Sequence, residues 1–341
     1  MTILVTGGAG FIGFNFVREL LAGDPDMTVV VLDKLTYAGN ARSLAELAAE
    51  PRFRFVRGDI GDRAVVRPLL AELQPSAIVN FAAETHVDRS IDGPADFIAT
   101  NIVGTFQLLE ETRRYLAGPH AAGFRFVHVS TDEVFGALGA TGTFVESTAY
   151  APRSPYAASK AAGDHLVAAY GHTYGFPAVT TNCSNNYGPY QFPEKLIPLI
   201  ITNALADKRL PVYARGENVR DWIYVTDHCA AVRAVLARGE LGTSYLIGAR
   251  CERTNLDVVH TICDIVDELR PRAEGSHRAL IEFVADRPGH DFRYAIDPTR
   301  CERELGWRPL VAFADGIRRT VQWYVDHADW IAAIRSGEYR A

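Results

Sequence analysis

Residues 3–13 read ILVTGGAGFIG, an apolar run that breaks into glycines and resumes at once as the amphipathic stretch FNFVRELLAG (14–23). The run reads as a strand and the stretch as a helix. Between them Gly7, Gly10 and Gly13 give GxxGxxG, and Gly8, Gly10 and Gly13 also satisfy GxGxxG. Glycine is needed there because the backbone turns tightly, approaches a pyrophosphate, and packs the helix against the sheet. The helix N-terminus then favours the anion. Twenty residues beyond Gly13, Asp33 closes the run TVVVLD (28–33), where a carboxylate accepts hydrogen bonds from an adenosine ribose. A glycine turn alone is a common structural feature; in this context it reads as a dinucleotide site. The Asp33 charge repels a 2′-phosphate and favours NAD over NADP, while Lys34 beside it keeps the other dinucleotide open.

Outward from this loop the pattern repeats. FRFVRGD (53–59), AIVNFAA (77–83) and FRFVHVS (124–130) are further runs of strand length, with helical stretches between most of them. Near-continuous apolar strands alternating with helices predict a parallel sheet covered on both faces: an α/β chain with a Rossmann-type doubly wound sheet. The later region is less regular, with loops such as NNYGPYQFPEK and ADRPGHD. A helix is predicted after Thr254, where Val258, Val259, Ile262, Ile265, Val266 and Leu269 fall at helical spacing. The expected organisation is a dinucleotide domain over 1–181 plus about 220–248. A smaller substrate lobe over 182–219 and 249–341 closes over the ligand.

Composition sets the bounds. The 341 residues allow roughly two domains of ~150 residues each. Apolar residues make up 48% and charged residues 22%, as in soluble globular enzymes. A net charge of −6, a pI near 5.9 and no basic run longer than two residues argue against nucleic acid and anionic membranes as partners. The five cysteines contain no CxxC pair, so neither a disulfide framework nor a metal knuckle is indicated. The longest apolar stretch, KLIPLIITNALA (195–206), is far short of the ~20 apolar residues of a membrane span. A strand begins at the N-terminus without a charged leader, and a cytoplasmic protein is expected.

Two further patterns carry chemistry. Ser154-Pro155 is a helix start, with Ser as N-cap and Pro at the first helical position, and it places Tyr156 and Lys160 on one helical face. A phenol is a poor base, with a reference pKa of about 10. A neighbouring ammonium and a cationic nicotinamide lower it, so that Tyr156 can take a hydroxyl proton while hydride leaves the same carbon. Alone, YxxxK equally marks a surface Lys beside a packed Tyr; the glycine loop and Asp33 tip it toward catalysis. Thr131-Asp132-Glu133 closes FRFVHVS at the carboxyl end of a strand, where open α/β sheets bind ligands. Two adjacent carboxylates exceed the needs of alcohol oxidation. They suit elimination beside a newly formed ketone, one as base and one as acid, if their environments separate their pKa values. The alternative is that they merely cap the next helix.

The stretches TGGAGFIG, LDKLTYAGN, AAETHVDRSI, STDEVFG, SPYAASK, NCSNNYGPYQFPEKLIP, VRDWIYVTDH and ADRPGHDFRYAID together resemble the dTDP-glucose 4,6-dehydratases, a nucleotide-sugar branch of the extended short-chain dehydrogenase/reductase family. The resemblance spans nearly the whole chain. It implies a tightly held NAD regenerated each cycle, dTDP-glucose as substrate and a homodimer, with the helices after the fourth and fifth strands as candidate interface. It implies Tyr156 as base assisted by Thr131 and Lys160, Glu133 as the C5 base and Asp132 as the acid for the departing 6-hydroxyl. By matching position, Phe11, Ile12, Asp33, Lys34, Thr36, Asp59, Ile60, Ala82, Thr100 and Asn186 face the cofactor. Thr85, Asn185, Lys195, Leu196, Tyr213, Arg220, Asn255, Arg287 and His290 face the nucleotide sugar. From the residues alone, Lys195, Arg220 and Arg287 suit a diphosphate; each singly is more readily a solvated surface cation, a preference that the loop contexts EKLIP, VRDW and DRPGHD reverse. Asp59 equally reads as a turn residue, and His86 and Asp88 as structural. Three departures stand out: Phe135 where the family usually has Tyr, Thr85 where Ser is commoner, and a tail that stops at SGEYRA. An epimerase or decarboxylase of the same fold needs the loop and YxxxK but not both carboxylates. An NAD-sensing binding protein needs only the glycines.

Overall fold

The computed structural model describes residues 1–120 and 122–340. The predicted runs become Thr2–Thr6 (β1), Thr28–Asp33 (β2), Phe53–Arg57 (β3), Ala77–Asn80 (β4) and Arg125–Thr131 (β5). They are followed by Ala178–Cys183 (β6), Asn185–Tyr187 (β7), Leu210–Tyr213 (β8), Val219–Tyr224 (β9), Ser244–Ile247 (β10), Glu252–Thr254 (β11) and Ile281–Val284 (β12). Seven of them form one parallel sheet in the order β10-β6-β5-β4-β1-β2-β3. Its central strands are apolar on both faces because both are covered. Ile3, Val5, Val31 and Val79 join one core cluster, while Leu4, Val30, Ile78 and Phe126 join the other. The pairing Val5↔Val31 and Val5↔Val79 keeps those alternations in register.

The strand order reverses at β1 and β4, so consecutive crossovers leave in opposite directions and open a crevice at the carboxyl ends. Gly7 sits there with φ +69°, and a Cβ on it would lie 2.5 Å from the Ala82 amide nitrogen. A Cβ on Gly13 would lie 2.4 Å from the Gly7 carbonyl oxygen, so only glycine lets the helix Phe11–Gly23 start this close to the turn. That helix has neither a capping side chain nor a carboxylate in its first turn. Its leading amides are left for another acceptor.

Ser154 caps the helix Pro155–Tyr174 as expected, its Oγ accepting from the Ala157 amide at 3.0 Å. Gly175, at φ +63°, ends it. Thr254 caps Asn255–Leu269 in the same way, and the predicted apolar positions face the core. Two smaller sheets, β11-β9-β7 and β12-β8, flank the crevice. Among the described residues no helix is long and apolar enough to cross a membrane, and no group of His, Cys, Asp and Glu side chains could hold a metal ion.

Candidate active site

A single cleft gathers most of the predicted site. About 1500 Å³ of open space, mouth included, lies over the ends of β1, β2, β4, β5 and β6, room for more than one small ligand. The cofactor-facing residues predicted from the sequence all line it, from Gly7 to Asn186, and so do Thr131, Asp132, Glu133, Thr85, Asn185 and Lys195. Leu196, Tyr213, Arg220, Asn255, Arg287 and His290 are not among the lining residues. Leu196 opens a helix and packs on the core. Tyr213 Oη donates to Asp88 Oδ2 (3.1 Å), and Arg287 Nη1 lies 3.5 Å from Asp88 Oδ1. His290 pairs with Asp286, and the Asn255 side-chain oxygen is buried without a partner. Arg220 is buried over the Tyr294 ring and donates to the Val219, Asp291 and Phe292 carbonyls.

On the dinucleotide side, Asp33 is tied into the glycine turn. Its Oδ2 accepts from the Ala9 amide (3.0 Å) and its Oδ1 from the Leu35 amide (2.8 Å). Asp59 is a turn residue as well as a cleft residue: Oδ1 accepts from the Gly61 amide and Oδ2 meets Lys34 Nζ at 3.2 Å. Lys34 Nζ also donates to Thr100 Oγ1 at 3.0 Å. Thr100 lies on a π-helical segment, Ile98–Gly104, of the kind found at functional sites. His86 caps the helix Val87–Asp92, a structural role. Asn186 is held by Ser184 and by His228, whose imidazole is pushed down to about 3 by burial.

The capping alternative for the two carboxylates does not hold. β5 runs into a short 3-10 turn, Asp132–Phe135, and its cap is Thr131, whose Oγ1 accepts from the Glu133 amide at 3.3 Å. Asp132 is buried, and its Oδ2 has no hydrogen-bond partner. Burial first, then the charges of Glu133 and Asp221, push the Asp132 acid well above the ordinary carboxylate range. Glu133 is only partly buried by surface area. Burial pushes it up too, but the cations Arg287, Lys195 and Arg220 oppose that. Both acids are raised, but Asp132 is pushed well up by burial and neighbouring carboxylates, while the cations hold back the rise at Glu133. Phe135, the next ring along, is buried against Phe144 and Tyr150 rather than open to the cleft.

Tyr156 packs edge-on to Phe97, and Lys160 Nζ donates to the Val129 carbonyl at 2.9 Å. Contrary to the simple expectation, the polypeptide by itself raises the Tyr156 phenol: burial dominates, and Glu133 and Cys183 add to it. The hydrogen bond with the Thr131 hydroxyl acts the other way. Lys195 Nζ donates to the Thr85 carbonyl at 2.8 Å, joining two segments 110 residues apart.

Two polar residues escaped the sequence reading. Asn101 holds the Glu84 backbone from both sides (2.9 and 3.0 Å) and donates to Ser159 Oγ at 2.8 Å, bracing the catalytic helix. Asp164 lies beneath Lys160 in a buried polar cluster. A side-chain amide in the mostly apolar run FIATNIVG, and a carboxylate one turn after Lys160, are the signals that could have found them.

Comparison with known proteins agrees with this geometry. Residues 4–320 match the family model described as GDP-mannose 4,6 dehydratase. The chain is 57% identical to a dTDP-glucose 4,6-dehydratase of Xanthomonas campestris pv. campestris, over 99% of this chain and 97% of that one. It is 53% identical to a dTDP-glucose 4,6-dehydratase of Salmonella typhimurium, over 100% and 97%. It superposes on the solved dTDP-glucose 4,6-dehydratase of Streptomyces venezuelae, which has NAD bound, with a TM-score of 0.89, at 49% identity and over 97% and 98% of the two chains.

Proposed function

The chain belongs to the dTDP-glucose 4,6-dehydratase family, and from that membership we propose that it converts dTDP-glucose to dTDP-4-keto-6-deoxyglucose with NAD as a retained cofactor. The observation that carries the reaction type is the adjacent pair Asp132 and Glu133, one buried among carboxylates and the other under the charge of three cations, beside Tyr156 and Lys160.

The cleft fits the dinucleotide: Gly7 and Gly13 leave a backbone cradle at a helix N-terminus, and Asp33 stands at the end of β2. NAD bound there supplies a hydride acceptor at C4 of the sugar that later returns the hydride to C6. Tyr156 takes the proton of the 4-hydroxyl, Lys160 carries the positive charge that favours phenolate, and Thr131 steadies the hydroxyl. The ketone so formed acidifies the C5–H bond. Glu133, whose rise on burial is opposed by Arg287, Lys195 and Arg220, removes that proton. Asp132, kept protonated by burial, gives its proton to the departing 6-hydroxyl, which leaves as water. Glu133 then gives its proton back to C5, which completes the 4-keto-6-deoxy sugar. Lys195, in the cleft wall, supplies positive charge for the diphosphate, and Arg220 and Arg287, set back from the cleft, add theirs to the same region, as their action on Glu133 indicates.

The dinucleotide domain is assigned to 1–181 with 220–248, and the remainder to the sugar-nucleotide lobe. We place the protein in the cytoplasm, where nucleotide sugars and NAD are at hand, and as a homodimer. Exposed Ile98 (45%) and Val103 (48%) after β4, with Tyr174 (54%) on the helix after β5, support that interface.

An epimerase of this fold has no use for a buried acid beside Glu133. Mass spectrometry of purified protein with dTDP-glucose and no added NAD tests the reading. Loss of one water from the dTDP sugar, and not from UDP-, CDP- or GDP-sugars, is expected. No water loss even with NAD supplied would move the epimerase or binding-protein reading ahead.

A further inference from the structure

Below the catalytic helix lies a set of buried polar groups that the chemistry above does not use. Asp164 stands one helical turn beyond Lys160, so the two side chains share a face. Its Oδ2 accepts from Ser130 Oγ (2.8 Å), Tyr150 Oη (2.9 Å) and Asn182 Nδ2 (3.1 Å). The same Asn182 nitrogen donates to the Thr131 carbonyl at 3.2 Å. Three donors on one oxygen suit a carboxylate, which is acceptor-only. On the other side, His128 Nε2 lies 3.3 Å from Asp164 Oδ1 without an aligned hydrogen bond. His128 Nδ1 faces Asn80 Nδ2 at 3.1 Å, and Asn80 Oδ1 accepts from Thr6. The Asn80 nitrogen therefore donates, and the imidazole proton sits on Nε2, toward Asp164.

The groups around Lys160 come from three elements. Its own helix brings Tyr156 and Asp164; β5 brings His128 and the Val129 carbonyl; β6 brings Cys183. Burial pushes Cys183 up to about 12, so it stands as a neutral thiol, and burial lowers His128, so it stands as a neutral imidazole. Burial also raises the Tyr156 and Tyr150 phenols. Lys160 itself is buried, which disfavours its ammonium, and Asp164 is the main group acting the other way. Asp164 thus touches both halves of the catalytic apparatus: it neighbours Lys160, and through Ser130 and Asn182 it grips the strand end that carries Thr131.

We propose that Asp164 is a positioning residue for proton abstraction by Tyr156: its carboxylate is the fixed countercharge that holds Lys160 as an ammonium and locks the end of β5 against the catalytic helix. This rests on the roles given above to Tyr156 and Lys160. A carboxylate serving only as a clamp could be replaced by an amide, whose oxygen still accepts from Ser130 and Tyr150. The countercharge could not.

The chain's only lysines are Lys34, Lys160, Lys195 and Lys208, so the protein labelled with 13Cε-lysine gives a spectrum that single substitutions can assign. The ammonium of Lys160 is followed against pH in the wild type and in Asp164→Asn. The Asn variant should lower the Lys160 midpoint by about one to three pH units, and move the alkaline limb of bound-NAD reduction to lower pH by a similar amount. Lys208 should not move. Ser130→Ala, which removes a donor and keeps the charge, should lower Tm while leaving the Lys160 midpoint in place. Equal midpoints in the wild type and Asp164→Asn overturn the proposal. Should the Asn variant not fold, a wild-type Lys160 already neutral at neutral pH overturns it instead. The titration needs no substrate, so a failure to dehydrate dTDP-glucose would count against the functional reading and leave this test standing.

Discussion

Asp132 and Glu133 are consecutive in the chain and both raised by burial, yet their leading charged neighbours differ: cations (Arg287, Lys195, Arg220) at Glu133, carboxylates (Glu133, Asp221) at Asp132. The turn Asp132–Phe135 buries one carboxyl and leaves the other facing the cations. Roles that would be interchangeable in an extended peptide become distinct in the fold.

Replacing the acid separates the two halves of the reaction. Asp132→Asn should slow water loss by about 100- to 10,000-fold, the range for removing a general acid, while initial hydride transfer persists. Reduced cofactor or a 4-keto hexose should therefore build up in stopped-flow and quench experiments. Normal product formation would rule out the acid role.

The same substitution should stabilise the protein at high pH. An acid whose folded pKa is raised contributes stability below its unfolded value, and that contribution is lost as pH rises through the folded value. The unfolding free energy of Asp132→Asn, relative to that of the wild type, should rise from acid to alkaline pH by about 1.4 kcal/mol per pH unit over the titrating range, as denaturant melts at several pH values would show. A margin independent of pH would show that Asp132 is not held protonated.

Arg287 is the leading cation acting on Glu133. Arg287→Met should let burial raise Glu133 further, so that the base stays protonated to a higher pH. The acid limb of kcat at saturating substrate should shift upward. An unchanged limb, with only KM affected, would confine Arg287 to substrate binding.

Tyr156→Phe keeps the ring that packs on Phe97 and removes the hydroxyl. Reduction of bound NAD by substrate should fall by about 100-fold or more, with the NAD content of the purified protein unchanged. Rapid reduction in this variant would contradict the base assignment.

Gly13→Ala tests the cradle. The new Cβ would meet the Gly7 carbonyl oxygen at 2.4 Å and the Gly8 Cα at 2.9 Å, both backbone, so the turn itself must shift. A loss of about 1–3 kcal/mol in stability is expected, together with protein that purifies depleted of NAD by its 260 nm absorbance. Full NAD content would argue that the loop does not hold the dinucleotide closely.

Much of the architecture was legible because its causes are local. The glycines after ILVT, the alternation of apolar runs with amphipathic stretches, and Ser154-Pro155 before YxxxK each act within a few residues, where steric and capping rules hold irrespective of the rest of the chain. TVVVLD was read to its residue limits, Thr28–Asp33. What the tertiary structure decided was electrostatic and long-range. Thr131, not a carboxylate, caps the turn after β5. Asp132 is pushed toward its protonated form by burial first, then by Glu133 and by Asp221 from β9, and Tyr156 is raised by burial first, with Glu133 and Cys183 adding to it. Asp164 collects donors from Ser130, Tyr150 and Asn182. Burial and charge proximity depend on which segments the sheet order brings together, and no spacing within a single stretch of sequence encodes them.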